Sequence, residues 1–419
     1  MILDLFAGPG GWSHALTVLG VRDIGLEWDR WACRTRAAAG QLTIRTDVAR
    51  YPVWPFTGRT HGLIASPPCQ AWSMAGKRLG LLDQPLVHQA VTDLAQGRDT
   101  RERLLASCQD ERSLLAAEPM RYLHALNTVS EPEWVAMEEV PDVLPLWKQY
   151  AAILRKWGFS VWTGILNAAD YGVPQTRRRA ILLASRVRTA EPPAPTHAQA
   201  AEPESLFGPG REQWVSMATA LGWGATDRPV PTVCAGGGPG GGAEPFPSGS
   251  RKTLTDARDR GTWTPRTTGN MPTPQRRSGR AAPSSSRKDH PVEEPVTAGA
   301  HRWSWALRSN NQANATIRSL SEPAGTLFFG HRANECVWVP EPAEPGGPDT
   351  EQLLIPDSIR ITAQEAGLLQ TFPASYPWAG NKGQQFSQIG NAVPPRLAAH
   401  LLAPHLKLPL DPDDFTLAA

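Results

Sequence analysis

Short apolar runs alternate with helically spaced stretches over the first 186 residues. Ile2–Phe6, Val21–Glu27, Gly62–Ser66, Trp134–Glu139 and Ala180–Ser185 read as strands, and Ser13–Leu19 and Leu144–Trp157 between them read as helices. Such alternation predicts an α/β domain of Rossmann-like type with a mostly parallel sheet. The texture changes after Arg188. AEPPAPTHAQAAEPE reads as a linker, and GGGPGGG at 236–242 as a turn-rich loop. RPVPTV, EEPVTA and SEPAGTL each set Pro shortly before Thr, which reads as repeated strand-turn units of an irregular β-rich domain. From about Asp357 helical spacing returns in ITAQEAGLLQ and VPPRLAAHLL. The expected organisation is a first domain over 1–188, a smaller β-rich domain over 189–355, and a segment over 356–419 that completes the first.

Composition narrows the classes. A chain of 419 residues, 41% hydrophobic, can bury one large core and a smaller one. The net charge is only +2, so any case for nucleic-acid binding rests on local patches. One such patch is 251–290, with ten Lys and Arg against three Asp and few large apolar side chains. It reads as a solvated loop, and equally as a loop that orders on phosphates. The five cysteines, Cys33, Cys69, Cys108, Cys234 and Cys336, are odd in number and scattered. A disulfide framework is not expected, and a reduced, cytoplasmic setting fits better. No Cys/His cluster calls for a metal. No apolar run approaches the ~18 residues of a membrane span, and the opening MILDLFAGPGG reads as a strand entering a turn rather than a signal peptide.

The candidate chemistry sits at strand ends. DLFAGPGGW follows the first strand, and Gly8, Gly10 and Gly11 permit a tight turn and close approach of a nucleotide-type ligand. The second strand ends in Glu27, placed to accept hydrogen bonds from ribose hydroxyls; Trp28 can lie flat on an adenine ring, and Asp47 follows the third apolar run, within reach of an adenine amino group. Any one of these acids alone reads as a helix cap or a surface carboxylate. Their order after a glycine turn shifts the balance, and the absence of a following Gly-Lys-Ser/Thr argues against a P-loop. Ser66-Pro67-Pro68-Cys69-Gln70 leaves a strand's carboxyl end, where open α/β sheets place their chemistry. Two prolines stiffen the approach to the cysteine, and a thiolate held near positive charge is nucleophilic. Glu138 and Glu139 end another strand, where a desolvated carboxyl group can act as an acid. In Gln175-Thr176-Arg177-Arg178-Arg179, strand geometry turns Arg177 and Arg179 to one face and Arg178 to the other.

Taken together these segments resemble the DNA cytosine-C5 methyltransferase family. DLFAGPGGWSHAL resembles its first cofactor motif, SPPCQAWSMAGKR its Pro-Cys loop, MEEVPDVL its Glu-Asn-Val motif, YGVPQTRRRAILLA its Gln-x-Arg-x-Arg motif, and RITAQEAGLLQTFP and QIGNAVPPRLAAHL its two C-terminal motifs. They stand in the family's order, cover about half the chain and frame a variable middle. The resemblance implies methyl transfer from S-adenosyl-L-methionine to C5 of a flipped-out cytosine in double-stranded DNA, with Cys69 attacking C6. Glu138 would engage the N3 and amino edge, Arg179 the O2, and Arg177 and Gln175 would support the site. Phe6, Ala7, Gly8, Gly10, Gly11, Glu27, Trp28, Asp47 and Pro67 would bind the cofactor, with Asn391 and Val393 closing the pocket. The segment 70–85 would close over the base, and 189–355 would read sequence in the major groove. A monomer is expected, with a restriction endonuclease, if any, encoded separately. Three positions depart from the pattern: Glu139 stands where Asn is usual, and Ser66 and Ala15 where Gly is usual. The same motifs leave open a tRNA cytosine-C5 methyltransferase and a catalytically silent DNA-binding homologue, although the long middle argues against the first and the intact Cys69, Glu138, Gln175 and Arg179 against the second. Deleting 251–290 is expected to weaken duplex binding and flatten its dependence on salt; salt titrations that superimpose on those of the full chain would make the segment a spacer.

Overall fold

The computed structural model describes residues 1–68, 72, 79–129, 132–205, 209–221, 304–308, 316–327, 336–341, 359–411 and 415. Cys69, the glycine run at 236–242, the basic segment 251–290, RPVPTV and EEPVTA lie outside the described residues.

The chain forms β1 (Ile2–Leu5), α1 (Gly11–Val18), β2 (Asp23–Glu27), α2 (Arg30–Ala38), β3 (Leu42–Arg45), β4 (Gly62–Ala65), α3 (Leu79–Ala95), α4 (Arg101–Leu105), α5 (Glu118–Val129), β5 (Trp134–Glu139), α6 (Leu144–Lys156), β6 (Ser160–Asn167) and β7 (Arg178–Ser185). These seven strands make one sheet of order β3-β2-β1-β4-β5-β7-β6. β7 runs antiparallel to both β5 and β6; the pairs from β3 to β5 are parallel. The expected α/β class with a mostly parallel sheet is therefore present. Strand order reverses direction between β1 and β4, which opens a crevice at their carboxyl ends. The glycine turn leaves β1 there, and Ser66-Pro67-Pro68 leaves β4 beside it.

Both faces of the sheet are covered, which is why its strands read as near-continuous apolar runs. On one face Leu3, Leu5, Leu63, Val135, Met137 and Leu182 pack under α3, α5 and α6, with Trp72, Trp147 and Tyr150 fully buried. On the other, Ile2, Ile64, Ala136, Ile181 and Leu183 pack with Trp12, Ala15 and Leu16 of α1. That second core is completed from the far end of the chain, by Val393, Leu397, Leu401 and Leu402.

After β7 come β8 (His197–Ala198), β9 (Glu212–Gln213), α7 (Met217–Ala220), β10 (Ser304–Arg308), β11 (Ile317–Ser319), β12 (Val337–Glu341) and β13 (Ile359–Arg360), then α8 (Ala363–Leu368), α9 (Lys382–Asn391) and α10 (Pro395–Leu406). By compactness the chain divides into one unit of Met1–Gly222, Ala306–Trp338 and Arg360–Ala419, and another of Trp223–Trp305 and Val339–Ile359. A second sheet has the order β11-β10-β12-β13, with β10 and β11 antiparallel.

Two local readings need correction. The Pro/Ala-rich stretch after Arg188 is not a free linker. β8 pairs with β9, the Thr196 amide donates to the Asp170 carbonyl, and the Tyr171 hydroxyl donates to the Pro193 carbonyl. Few apolar side chains are needed there, because backbone pairing and buried His197 anchor it. SEPAGTL is a turn rather than a strand unit: Ala324 makes an isolated bridge to Gln175, clipping the turn to the segment before β7.

The first helix fits only because its first residue lacks a side chain. A Cβ at Gly11 would overlap the Val393 carbonyl oxygen and lie 3.2 Å from the Val393 nitrogen. Both are backbone atoms that cannot swing aside. Gly11→Ala is therefore expected to destabilise the fold by about 2 kcal/mol or more through overpacking, read as a lower urea midpoint; an unchanged midpoint would mean that α1 and α10 slide freely.

Candidate active site

The glycine turn is shaped by backbone conformation and braced from outside. Phe6, Gly8 and Gly10 all have positive φ (60°, 54° and 99°), which glycine adopts freely and Phe6 does not. Gly10 and Gly11 are closed sterically, by Gln41 and Val393; a Cβ at Gly8 would meet only the Phe6 carbonyl oxygen, at 4.0 Å, so the turn is open on that side. Ala7 is buried and its amide donates to the Leu26 carbonyl. The Tyr376 hydroxyl donates to the Pro9 carbonyl at 2.6 Å and accepts from Gln41 Nε2 at 3.2 Å. Neither Tyr376 nor Gln41 was singled out from the sequence. Only their place after a turn and in a Pro-rich tail hints at them.

Glu27 ends β2 facing this turn. Its carboxylate accepts the amides of Gly8 (2.8 Å), Trp28 (2.8 Å) and Asp29 (2.7 Å). Burial pushes its pKa up, and the three N–H donors oppose that shift. Trp28 follows with its side chain 74% exposed, a flat apolar surface beside the turn. Asp47 lies one short step beyond β3. Its Oδ1 accepts the Ala49 amide at 2.9 Å, and Oδ2 has Arg50 at 3.6 Å.

Under the turn lies a buried ionic group that the sequence did not reveal. Arg36 is fully buried; its guanidinium sits 4.0 Å from Asp4 and 3.4 Å from Asp23, and donates to Ser13 Oγ, Thr43 Oγ1 and the carbonyls of Ala7 and Leu42. Gly25 lets it cross the sheet, since a Cβ there would strike the guanidinium. Burial pushes the Asp4 carboxyl well above its ordinary value, with Asp23 adding to the shift and Arg36 opposing it.

At the carboxyl end of β5 the structure brings the predicted acid and arginines together. Glu138 Oε1 is 2.9 Å from Arg179 Nε and 4.0 Å from Arg177 Nη2, all three groups buried. Arg178 is exposed, as strand alternation requires. Arg177 also donates to the Gly390 carbonyl at 3.0 Å, tying this cluster to α9. Gln175 is fully buried, and neither its Oε1 nor its Nε2 has a hydrogen-bond partner. Glu139, the departure noted above, points to the opposite face. It is buried, Oε2 accepts the Val140 amide and Oε1 has no partner; burial and the neighbouring Glu138 push its pKa well up.

The Pro-Pro segment joins the two halves. Ser66 accepts a hydrogen bond from Trp12 Nε1 at 2.9 Å, and Pro67 is buried. The register pairs Ala65 with Met137, so Pro67 comes level with Glu139 and Ser66 with Glu138. Of the segment expected to form a closing loop, 79–85 is instead the start of α3. Its Asp83 accepts the amides of Gln109 and Asp110, which anchors those turns to the next segment. Val393 is buried against Gly11, whereas Asn391, at the end of α9, is exposed.

Comparison with known proteins gives the family. The C-5 cytosine-specific DNA methylase family matches residues 1–88, 105–217 and 274–407. The chain is 25% identical to the Type II methyltransferase M.DdeI of Desulfomicrobium norvegicum, over 96% of this chain and 87% of that protein. It is also 25% identical to the Type II methyltransferase M.AplI of Arthrospira platensis, over 98% and 86%. Among solved structures, S. pombe Dnmt2 methyltransferase superposes with a TM-score of 0.51 at 13% identity, over 97% of this chain and 98% of that one. The Entamoeba histolytica methyltransferase EhMeth gives 0.51 at 13%, over 96% of each chain; both likenesses speak for the fold. With the family matched over most of its length and that family's fold present, the chain belongs to the C-5 cytosine-specific DNA methylases.

Proposed function

We propose that this enzyme transfers a methyl group from S-adenosyl-L-methionine to C5 of a cytosine flipped out of double-stranded DNA, at a defined sequence, through a covalent bond between Cys69 and C6. The observation that carries the reading is the Glu138–Arg179–Arg177 cluster, set beside the crevice from which Pro67-Pro68 leads to Cys69.

The residues at the crevice fit the cofactor. The turn is open at Gly8, the Glu27 carboxylate keeps lone pairs for ribose hydroxyls beyond its three amide donors, and the exposed Trp28 ring offers an adenine a stacking face. Asp47 would take the adenine amino group. Phe6, Ala7, Gly10, Gly11, Pro67 and Val393 would shape the walls, with Asn391 at the rim. When bound, S-adenosylmethionine supplies an electrophilic methyl group.

The chain's own part is to make C5 a nucleophile. The Cys69 sulfur adds to C6, and the electron pair displaced from the C5–C6 bond loads the ring toward N3 and C5. Glu138 holds a proton at N3 and accepts from the amino group, which favours that charge among the buried Glu138, Arg177 and Arg179. Arg179 holds O2, and Arg177, fixed on the Gly390 carbonyl, keeps Glu138 and Arg179 in register. The buried, unpartnered amide of Gln175 has hydrogen-bonding capacity to offer the base or the sugar-phosphate chain. Loss of the C5 proton and expulsion of Cys69 restore the aromatic ring. Recognition of sequence is assigned to the middle region, about 189–355, with its basic segment on phosphates. The chain would act as a monomer in the cytoplasm, as the partner of a separate restriction endonuclease or alone.

Nucleoside mass spectrometry of duplex DNA incubated with the protein and S-adenosylmethionine is expected to show 5-methylcytosine. Modification of tRNA alone, assayed in parallel, would overturn the choice of substrate. Cys69→Ser should abolish methylation and the adduct with 5-fluorocytosine DNA while cofactor binding persists; retained turnover would remove Cys69 as nucleophile.

Burial, with Glu138 beside it, pushes the Glu139 carboxyl group well above its ordinary value. A carboxyl group whose folded pKa is raised above 4.5 contributes stability at low pH and loses it as pH rises toward the folded value. Glu139→Gln is therefore expected to be more stable than the parent at alkaline pH, with the difference shrinking as pH falls to 4.5. A difference independent of pH would show that Glu139 is already charged in the fold.

A further inference from the structure

The turn that carries Asp47 is held by two partly buried arginines from a distant part of the chain. Arg101 Nη1 donates to the Ala49 carbonyl at 3.0 Å. Arg121 donates to the Tyr51 carbonyl at 3.1 Å and the Val48 carbonyl at 2.5 Å, and the Tyr122 hydroxyl donates to Val48 as well, at 3.1 Å. Every carbonyl from 48 to 51 except that of the exposed Arg50 thus receives a donor from α4 or α5.

The arginines are in turn fixed by charge. Glu118, 2% exposed, accepts from Arg101 at 2.5 Å and from Arg121 at 2.9 Å. Asp99 grips the other side of Arg101 through two hydrogen bonds, at 2.8 and 2.6 Å. A two-point grip of this kind fixes the plane of a guanidinium as well as its position. The connection to Asp47 runs through one residue. The Ala49 residue whose carbonyl Arg101 holds is the residue whose amide donates to Asp47 Oδ1. That commits Oδ1 and fixes the carboxylate's rotation. Oδ2 is left with only the 90% exposed Arg50 side chain, at 3.6 Å, and is the oxygen available to a ligand. Arg101 lies in 89–104, a stretch that the family match leaves out.

We propose that Arg101, through the Ala49 carbonyl, acting with Arg121, through the Val48 carbonyl of the peptide whose N–H Asp47 accepts, is a positioning residue that aims the Asp47 carboxylate at the amino group of the cofactor's adenine. This rests on the reading above that Asp47 takes that amino group. Arg101 touches no ligand itself. It sets how well the enzyme distinguishes adenine from a purine lacking the amino group.

The test is equilibrium binding by the full chain of S-adenosylhomocysteine and of its purine analogue with hydrogen in place of the 6-amino group. The parent should favour the adenine compound, and Asp47→Ala should bind the two alike. Arg101→Met should lose about tenfold in affinity for the adenine compound while the deaminated one binds nearly as before, the scale of one lost hydrogen bond to a charged group. Arg101→Lys keeps a cation between Glu118 and Asp99, so the fold is spared an uncompensated buried carboxylate, but lacks the rigid fork; it should show the same loss of preference in smaller degree. Thermal unfolding of each variant confirms that a folded protein is being titrated. If Asp47→Ala keeps the parent's preference, Asp47 does not read the amino group and the positioning role falls with it. If Asp47→Ala loses the preference but both Arg101 variants keep it, or if they weaken both ligands equally, Asp47 stands and Arg101 is merely structural.

Discussion

The contact between Gly11 and the Val393 backbone is the constraint on which the rest of the domain depends. Residues 11 and 393 are far apart in sequence, yet α1, with Trp12, Ala15 and Leu16 in the core on this face of the sheet, packs alongside α10. An eight-residue helix does not persist alone in water, so its stability comes from that packing. Because α1 starts at the glycine turn, docking α10 also fixes the turn. Tyr376, drawn in by the same segment, then grips Pro9. The crevice at the glycine turn is thus finished only when the segment from Tyr376 to Leu402 comes back to it.

Buried charge does a second kind of work here. A buried ion pair adds little net stability, since desolvation offsets most of the attraction. What the Arg36 group gains is geometry: one guanidinium reaches side chains or carbonyls of β1, α1, β2 and β3 and the turn itself, so none can shift alone. Removing any partner would strand a charge in an apolar core, which makes the arrangement all-or-none. The Glu138 cluster follows the same logic, with Arg177 anchored on α9 and Arg179 on its own strand. Both groups border the crevice, where precise placement matters more than stability.

How much of this was legible in the sequence depended on the range of the interaction. Strand ends and glycine turns are local, and β5 was bounded correctly at Trp134 and Glu139. The opposed faces of Arg177 and Arg178 followed from period-two geometry alone. The stretch after Arg188 was misjudged because its composition resembles that of a solvated linker, while its order comes from backbone pairing that composition does not encode. Arg36, Gln41, Arg101 and Tyr376 each look like ordinary surface residues until the fold brings a partner from 13 to 367 positions away. Proximity of that kind is a product of topology, and no local pattern announces it.

Glu139 shows how a departure from a family pattern is absorbed by its surroundings. A carboxylate at that buried position is disfavoured by burial and by Glu138, adjacent in the strand, with an apolar core on its own face. A neutral carboxyl group is a different object: like a side-chain amide, it presents one accepting and one donating end. Its accepting oxygen takes the Val140 amide, and the strand register brings the residue level with Pro67. Burial that disfavours the charge is what lets the acid stand in for an amide. Arg177 and Arg179 oppose the shift in part, and the core around the group, with Met137, Val143 and Trp147 all fully buried, sustains it.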